Sequence, residues 1–433
     1  MTRSIWSWLW QQEFSLQKIM TSPRDFDIVL LGATGYTGKL CAEHIVQNLP
    51  TNLTWAIAGR CVEKLSVLGE QLRKLDPERK EPEIVDLQLR PVELDSLAKR
   101  TKVILNCVGP YHLYSTPVVE ACANNGTHYL DVTGEMPWVK EMIEKYHEKA
   151  KETGAIIISA DGLECAPTDL LTWALVKYVN DKFSVQTKEV ISSIYKLKTA
   201  GVSGGTFSTV IGLVDKVPLK ELYKAQNPYY LSASQHKRKY SPPLLQQVLG
   251  VRVVPKLGTM TNYITGHCDV AVVHRSSSLM PDLYGPHFHF ESFVAVRNAL
   301  VGVILHISTI FGVLALTLPP VRWLVRKLIY APGEGPEMRR TTGNRIEYRA
   351  IATAEERSAE GKPIKVLGTY KANCDAYGMT GVLLAESAMV LLTSERMSQE
   401  LKGGYLTPAM LGQEYIDRLD KVGITIQMNV LEA

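Results

Sequence analysis

Phe26-Asp-Ile-Val-Leu-Leu-Gly32-Ala-Thr-Gly35-Tyr-Thr-Gly38 is an apolar run that enters a glycine-punctuated turn and leaves it as a helix-like segment. The run is too short for a buried helix and is bounded by glycine, so it suits a strand buried on both faces of a parallel sheet. Gly32 then allows a tight turn, Gly35 lets backbone approach a pyrophosphate, and Gly38 lets the helix pack closely on the strand. A pyrophosphate would sit on the free N–H groups of the first helical turn. Gly32, Thr34, Gly35, Tyr36, Thr37 and Gly38 are therefore the candidate dinucleotide contacts.

The spacing is G-x-x-G-x-x-G, and the context makes it specific. A second strand-like run, residues 53–58, ends in Ala58-Gly-Arg60. An NAD site usually places Asp or Glu there for the ribose 2′-hydroxyl, whereas an arginine pairs with a 2′-phosphate. The sequence thus favours NADP over NAD, with Arg60 as the discriminating residue.

Strand and helix patterns alternate from here to residue 159. Helix-like periodicity covers 62–75, 91–100, 116–125 and 137–153, and strands are expected at 83–89, 102–108, 128–132 and 155–159. That alternation is the signature of a doubly wound sheet with ligands at the carboxyl ends of its strands. From about residue 185 the texture changes to long extended runs, at 185–198, 288–296, 345–353 and 365–374, without regular helices between them. The fold class is α/β, a Rossmann-type parallel sheet with a second α+β domain built on a largely antiparallel sheet. The division expected is a 1–25 appendage, a 26–184 dinucleotide-binding domain, a 185–375 substrate or dimerisation domain, and 376–433 as helices and a strand returning to the core.

Length and composition agree with this. The 433 residues exceed a usual single core, and 45% hydrophobic with 21% charged residues describes a folded globular chain. A net charge of +4 without basic runs interleaved with aromatics excludes nucleic-acid binding. The seven cysteines include no C-x-x-C pair, and no histidines or carboxylates stand at metal-ligand spacing, so neither a disulfide framework nor a metal site is expected.

Two segments stand apart. Trp6, Trp8 and Trp10 precede the first strand, in a stretch too short in its apolar part for a signal peptide and without a small-residue cleavage site. It reads either as a membrane-interface appendage or as residues upstream of a native start at Met20. Residues 299–318 form a run of twenty uncharged residues, long enough to span a bilayer, followed by Pro319-Pro320 and then Arg322, Arg326 and Lys327. Strands of one sheet precede and follow it. A crossing would split that sheet, so monotopic attachment is the membrane reading, and a buried core or dimer-interface helix is its rival.

The combination Gly32-Ala-Thr-Gly-Tyr-Thr-Gly38, Ala58-Gly-Arg60, Asn106-Cys-Val-Gly-Pro-Tyr111, Tyr129-Leu-Asp-Val-Thr-Gly-Glu135 and Gly204-Gly-Thr206 resembles the saccharopine dehydrogenase-like oxidoreductases. The stretches Pro319-Pro-Val-Arg-Trp-Leu324 and Ala331-Pro-Gly-Glu-Gly-Pro336 are similar to the branch that holds trans-acting enoyl reductases and lipid-droplet proteins. Cys61 stands where that family commonly has serine, and Gly162-Leu-Glu-Cys-Ala-Pro167-Thr-Asp169 keeps only Gly162, Pro167 and Asp169 of the family pattern. The resemblance implies that residues after the fourth strand lie near the nicotinamide, which makes Asn106, Gly109 and Asp131 cofactor-side candidates, with Asn106 ordering either the turn or the cofactor. It also implies a second-domain cleft, often a subunit interface, and hence a homodimer.

The activity so implied is NADPH-dependent reduction of an enoyl group on a hydrophobic, lipid- or polyketide-like substrate, free or carrier-bound. Such a reaction needs a proton donor and stabilisation of developing oxyanion charge. Tyr111, in the Gly-Pro turn at a strand end, is the catalytic candidate; packing against the adenine or closing the loop are its alternatives. Asp131 and Glu135 flank the next strand end, where they position a ribose, form a proton relay or cap a helix. His112 and His128 lie near the same rim, and Cys107 and Cys165 read as small core residues. The expected location is the cytosolic face of a membrane or lipid droplet, reached through 299–318. A non-catalytic dinucleotide-binding scaffold on such a surface is the alternative.

Overall fold

A computed structural model describes residues 24–197, 203–233, 244–328, 330, 334–335, 345–357, 361–394 and 400–432. The tryptophan-rich start and most of residues 331–336 lie outside the described residues. Along the chain come β1 (Phe26–Leu31), β2 (Trp55–Gly59), β3 (Glu83–Asp86), β4 (Thr101–Asn106), β5 (His128–Asp131) and β6 (Ile156–Ile158). They are followed by β7 (Thr187–Leu197), β8 (Val251–Val254), β9 (Gly258–Thr261), β10 (His289–Ala295), β11 (Ile346–Arg357) and β12 (Pro363–Ala372). β13 (Gly404–Leu406) and β14 (Ile424–Leu431) close the chain.

The first sheet is parallel, in the order β13-β6-β5-β4-β1-β2-β3. Its strand order reverses between β1 and β4, and that switch point opens a crevice at their carboxyl ends. The register aligns Leu31 with Ala58 on one side and Asn106 on the other, and Asn106 with Asp131. The glycine turn, Arg60, the Asn106 turn and the Asp131 loop therefore share one rim. Ile28, Val29 and Leu30 are fully buried, as a strand covered by helices on both faces requires.

The second sheet runs β14-β12-β11-β7-β10-β9-β8. It is antiparallel apart from the β7–β10 pair, which is parallel. The two sheets are tied by shared elements. β13 extends the first and β14 the second, although only seventeen residues lie between Leu406 and Ile424. Arg24, on the appendage side of the expected boundary, donates to the Asn125 carbonyl at 2.7 Å and to Ala98 O at 3.2 Å, anchoring the entry to β1.

Two apolar helices of eighteen residues have opposite fates. Helix Ala376–Thr393 is a core element with 72% of its residues buried, and its Gly381 sits so close to helix Tyr36–Asn48 that a Cβ would lie 2.8 Å from the Cys41 nitrogen. Helix Ala299–Leu316 buries only Gly302, which rests on the second sheet through Thr261 Oγ1 donating to its carbonyl at 3.0 Å. The core-helix reading of residues 299–318 fails on this exposure.

Candidate active site

The turn after β1 has the geometry its glycines require. Gly32 has φ +74°, and a Cβ there would lie 2.9 Å from the Cys107 carbonyl. A Cβ on Gly38 would fall 2.2 Å from Gly32 O, which no side chain tolerates, and one on Gly35 would be 3.2 Å from the same oxygen. Helix Tyr36–Asn48 starts at Gly35 with no side-chain cap and no acidic residue in its first turn. Its amino end thus offers backbone N–H groups and a positive dipole end without a competing carboxylate in that first turn, the arrangement that receives a pyrophosphate.

A cleft of about 630 Å³ opens beside this turn, bordered by Thr34, Gly35, Lys39, Arg60, Lys64 and Glu334 among others. Three cations face two carboxylates there, Glu334 and Glu63, and Glu63 is engaged by the Cys61 thiol at 3.1 Å. Arg60, Lys39 and Lys64 fit a 2′-phosphate at the end of β2. Sequence reasoning named Arg60 and missed both lysines. Lys64 stands one helical turn beyond Arg60, a spacing that carried the signal; Lys39 directly follows Gly38.

In the second part of the rim the polar side chains are committed to the protein itself. Asn106 is fully buried; its amide donates to Ser115 Oγ at 2.8 Å and Tyr129 OH at 2.9 Å, and its oxygen accepts from Val108 N at 3.0 Å. It builds the turn and leaves no group over for the cofactor. Asp131 is likewise internal, accepting from Thr133 N at 3.0 Å, Ala160 N at 3.2 Å and Ser159 Oγ at 2.8 Å. Burial raises its pKa to about 6 against these bonds. A ribose contact would have to displace them, so Asp131 ties β5 to β6 instead. Gly109, in the same turn, lies under Thr209, whose Oγ1 would be 3.9 Å from a Cβ there.

Tyr111, the catalytic candidate, turns inward. Its hydroxyl donates to the Asn106 carbonyl at 3.2 Å, its ring packs on Trp138 with centroids 5.8 Å apart, and it is buried. His112 Nδ1 lies 2.6 Å from Glu135 Oε2, which also accepts from the His112 amide at 2.8 Å, while Oε1 accepts from the Tyr111 amide at 2.8 Å. Glu135 is fully buried. With Nδ1–H held by the carboxylate, the tautomer inferred from the network leaves Nε2 as the working nitrogen. That atom is buried and has no hydrogen-bond partner. A carboxylate orienting an imidazole whose other nitrogen is uncommitted is the arrangement of a general acid or base.

The second domain roofs this rim. The Ser203 amide donates to Tyr377 OH at 2.7 Å, Tyr377 meets Tyr36 edge-on at 4.9 Å, and the Gly204 amide donates to Glu334 O at 3.0 Å. Gly204-Gly-Thr206 is thus a capped helix start, with Ser203 Oγ accepting from Thr206 N, and not an open anion nest. Burial lifts the Cys107 thiol to about 12 and Cys165 well above its usual range, so neither is a reactive thiolate. His128 is held to about 4 by burial and accepts from Ile156 N, a structural role. Among the described residues no cluster of metal ligands occurs.

Comparison with known proteins agrees with this geometry. Residues 28–158 match the model of the saccharopine dehydrogenase NADP-binding domain. A trans-acting enoyl reductase of Mycobacterium ulcerans is 30% identical over 426 residues, 94% of this chain and 98% of that protein. One from Mycobacterium tuberculosis is 32% identical over 421 residues, 93% and 97% respectively. Apo saccharopine dehydrogenase (L-Glu forming) of Saccharomyces cerevisiae superposes with a TM-score of 0.51 at 13% identity, covering 94% of this chain and 99% of that one. The last likeness concerns the fold.

Proposed function

Because the chain belongs to the saccharopine dehydrogenase-like oxidoreductases, alongside the trans-acting enoyl reductases, we propose that it uses NADPH to reduce the double bond of a 2-enoyl group on a hydrophobic acyl substrate, free or carrier-bound. The chain is an NADP-dependent oxidoreductase, which leaves the scaffold reading without support. The observation that carries the finer reading is the His112–Glu135 pair at the carboxyl rim.

Bound NADPH supplies a hydride, which an enoyl substrate takes at its β-carbon. The chain's own residues do the remainder. The amino end of helix Tyr36–Asn48 and the cations Lys39, Arg60 and Lys64 bind and orient the dinucleotide. Asn106 and the Tyr111 hydroxyl fix the turn from which His112 projects. Glu135 holds Nδ1–H, so the doubly protonated imidazole would give its Nε2 proton to the α-carbon or the enol oxygen as charge develops and be left as the neutral Nδ1–H tautomer. The test is NADPH oxidation with a medium-chain 2-enoyl thioester. His112→Ala is expected to lose activity by 10²-fold or more, on the order of a positioned acid's contribution, with NADPH affinity retained. Full activity in that variant would remove the assignment.

We also propose that the enzyme works on the cytosolic face of a membrane or lipid droplet, seated through residues 299–328. Leu300, Ile304, Phe311 and Leu314 are exposed on a helix that buries one residue in eighteen. Trp323 is exposed on helix Pro319–Leu328, with Lys327 3.7 Å above its ring. An apolar helix followed by an amphipathic one bearing arginine, lysine and tryptophan suits an anionic lipid surface.

A further inference from the structure

Helix Gly204–Lys216 stands over the proton donor. A Cβ on its Gly212 would lie 3.1 Å from His112 Cε1 and 3.4 Å from Nε2, and its Thr209 lies beside Gly109 on the turn below. Glycine at position 212 lets the helix backbone come this close, and His112 Nε2 is shut off from solvent. With the helix in place no substrate atom fits between it and that nitrogen. The same helix is lightly seated. It is apolar in sequence, yet only Gly204 and Ile211 of its thirteen residues are buried, whereas Phe207, Val210, Leu213 and Val214 are half-buried. Little apolar area holds it down, so it belongs to the part of the fold that opens at small cost.

Its far end is tied by charge. Asp215 accepts from Arg322 Nε at 2.6 Å and pairs with Arg326. Both arginines sit on helix Pro319–Leu328, within the segment argued above to meet lipid. Arg322 is the anchor: its side chain is 15% exposed, and it also donates to the Leu316 and Thr317 carbonyls at 2.8 and 2.7 Å, closing the end of the apolar helix. Arg326, at 55% exposure, is the arm that a lipid phosphate can reach.

We propose that helix Gly204–Lys216 is a hinged cover under which an acyl chain reaches His112, latched through Asp215 to the lipid-facing helix, so that anionic head groups release it by competing for Arg326. The proposal rests on the membrane seating and the reductase reading above. The half-buried apolar side chains of the cover would then exchange their present neighbours for the acyl chain, which defines the ligand as a long aliphatic one.

Access to His112 can be measured without turnover. Diethyl pyrocarbonate transfers an ethoxycarbonyl group to an accessible, unprotonated imidazole nitrogen, and peptide mass spectrometry reads each histidine separately. With NADPH-free full-length protein in buffer, His112 is expected to react at least tenfold more slowly than exposed His287. Vesicles of phosphatidylcholine with phosphatidylserine are expected to raise the His112 rate at least fivefold and leave His287 unchanged. Asp215→Asn is expected to give the fast rate without vesicles, with vesicles adding little. Arg326→Gln, a change at an exposed site, is the second latch variant should Asp215→Asn fold poorly, and it is expected to act in the same direction. Equal rates for His112 and His287 in buffer overturn the cover, and a rate that neither latch variant raises overturns the latch. A rate unmoved by vesicles overturns lipid control, and co-sedimentation in the same samples shows whether membrane seating failed first. Absence of enoyl reduction would remove the reaction proposed above and leave these rates standing.

Discussion

Replacing Glu135 separates the fold from the chemistry. Its carboxylate is fully buried and accepts three hydrogen bonds, from the Tyr111 and His112 amides at 2.8 Å each and from His112 Nδ1 at 2.6 Å. Glu135→Gln keeps the volume but turns one acceptor oxygen into an NH2 donor. If that NH2 stands on the Tyr111 side, one buried backbone N–H loses its partner, at a cost of about 1–3 kcal/mol. If it stands on the His112 side, it strands the His112 amide and also meets Nδ1 as a donor, which moves the ring proton to Nε2 and reverses the tautomer. Either way the carboxylate charge that stabilises the doubly protonated imidazole is gone, and the rate is expected to fall by about 10²–10⁴. Glu135→Ala strands both amides and is expected to lose about 2–6 kcal/mol of stability. The assays are thermal unfolding, NADPH titration and steady-state reduction of a 2-enoyl thioester on the same preparations. A Gln variant with lowered melting temperature but unchanged kcat and pH profile would show that Glu135 only braces the turn, and the proton-donor assignment would fall.

Arg60→Ala is expected to reduce the preference for NADPH over NADH about five- to tenfold, the low end for a charge-assisted contact because the site is exposed and Lys39 and Lys64 remain; equal titration curves for the two cofactors in the unmodified protein would refute the 2′-phosphate site. Gly35→Val is expected to abolish dinucleotide binding with the circular dichroism spectrum intact, since its side chain would enter the pyrophosphate approach, and normal binding would place the cofactor elsewhere. Leu305→Asp with Leu314→Asp is expected to release the protein from vesicles in flotation while NADPH binding persists, because charge in the hydrocarbon region costs several kcal/mol; wild-type protein that never floats would refute the seating. Stability is expected to fall by about 2 kcal/mol between pH 6.5 and 8. Burial pushes Asp161, Asp169 and Asp269 each up to about 7, so the folded state binds protons that the unfolded chain has released above pH ~4. His128 and His274, lowered to about 4 and about 3 by burial, act in the opposite sense below and around pH ~6.5 and offset only part of that fall. Urea midpoints that rise across that interval would contradict the sign.

The rim was legible because its signals are local. A strand, a tight turn and a helix follow one another within thirteen residues, and the alternation that places β4 and β5 beside β1 repeats along the chain. Which side chain the rim presents was not legible. Tyr111 and His112 open the same short helix, where adjacent residues point about 100° apart, and no pattern tells which one turns inward. The partners that decide it, Asn106 O for Tyr111 and Glu135 for His112, are set by the pairing of β4 with β5. Asp131 was misjudged for the same reason: Ser159 and Ala160, which occupy its oxygens, arrive only when β6 joins the sheet. β13 is three residues long and pairs with β6 across nearly 250 positions, so nothing near it in sequence announces it.

The way the two sheets are joined constrains how a substrate can enter. In many two-domain dehydrogenases the cleft opens by swinging one domain from the other. Here β13 and β14 lie in different sheets, and buried polar ties cross between the elements that connect them. Asp169 accepts from Ser276 Oγ at 2.6 Å and the Ala409 amide at 2.8 Å, Tyr415 OH donates to Leu383 O at 2.8 Å and lies 3.1 Å from Asp161 Oδ1, and Glu386 binds both His44 at 2.8 Å and Arg418 at 2.7 Å. Swinging the sheets apart would strand several of these groups, each at about 1–3 kcal/mol, and expose helix Ala376–Thr393 as well. A rigid hinge between domains is therefore the costly route. Helix Gly204–Lys216, with two buried residues and an ion-pair latch, is the cheap one. His112 lies beneath that helix, so under the proposed proton-donor role and membrane seating a substrate would reach it through the fold's loosest element and not through its joint.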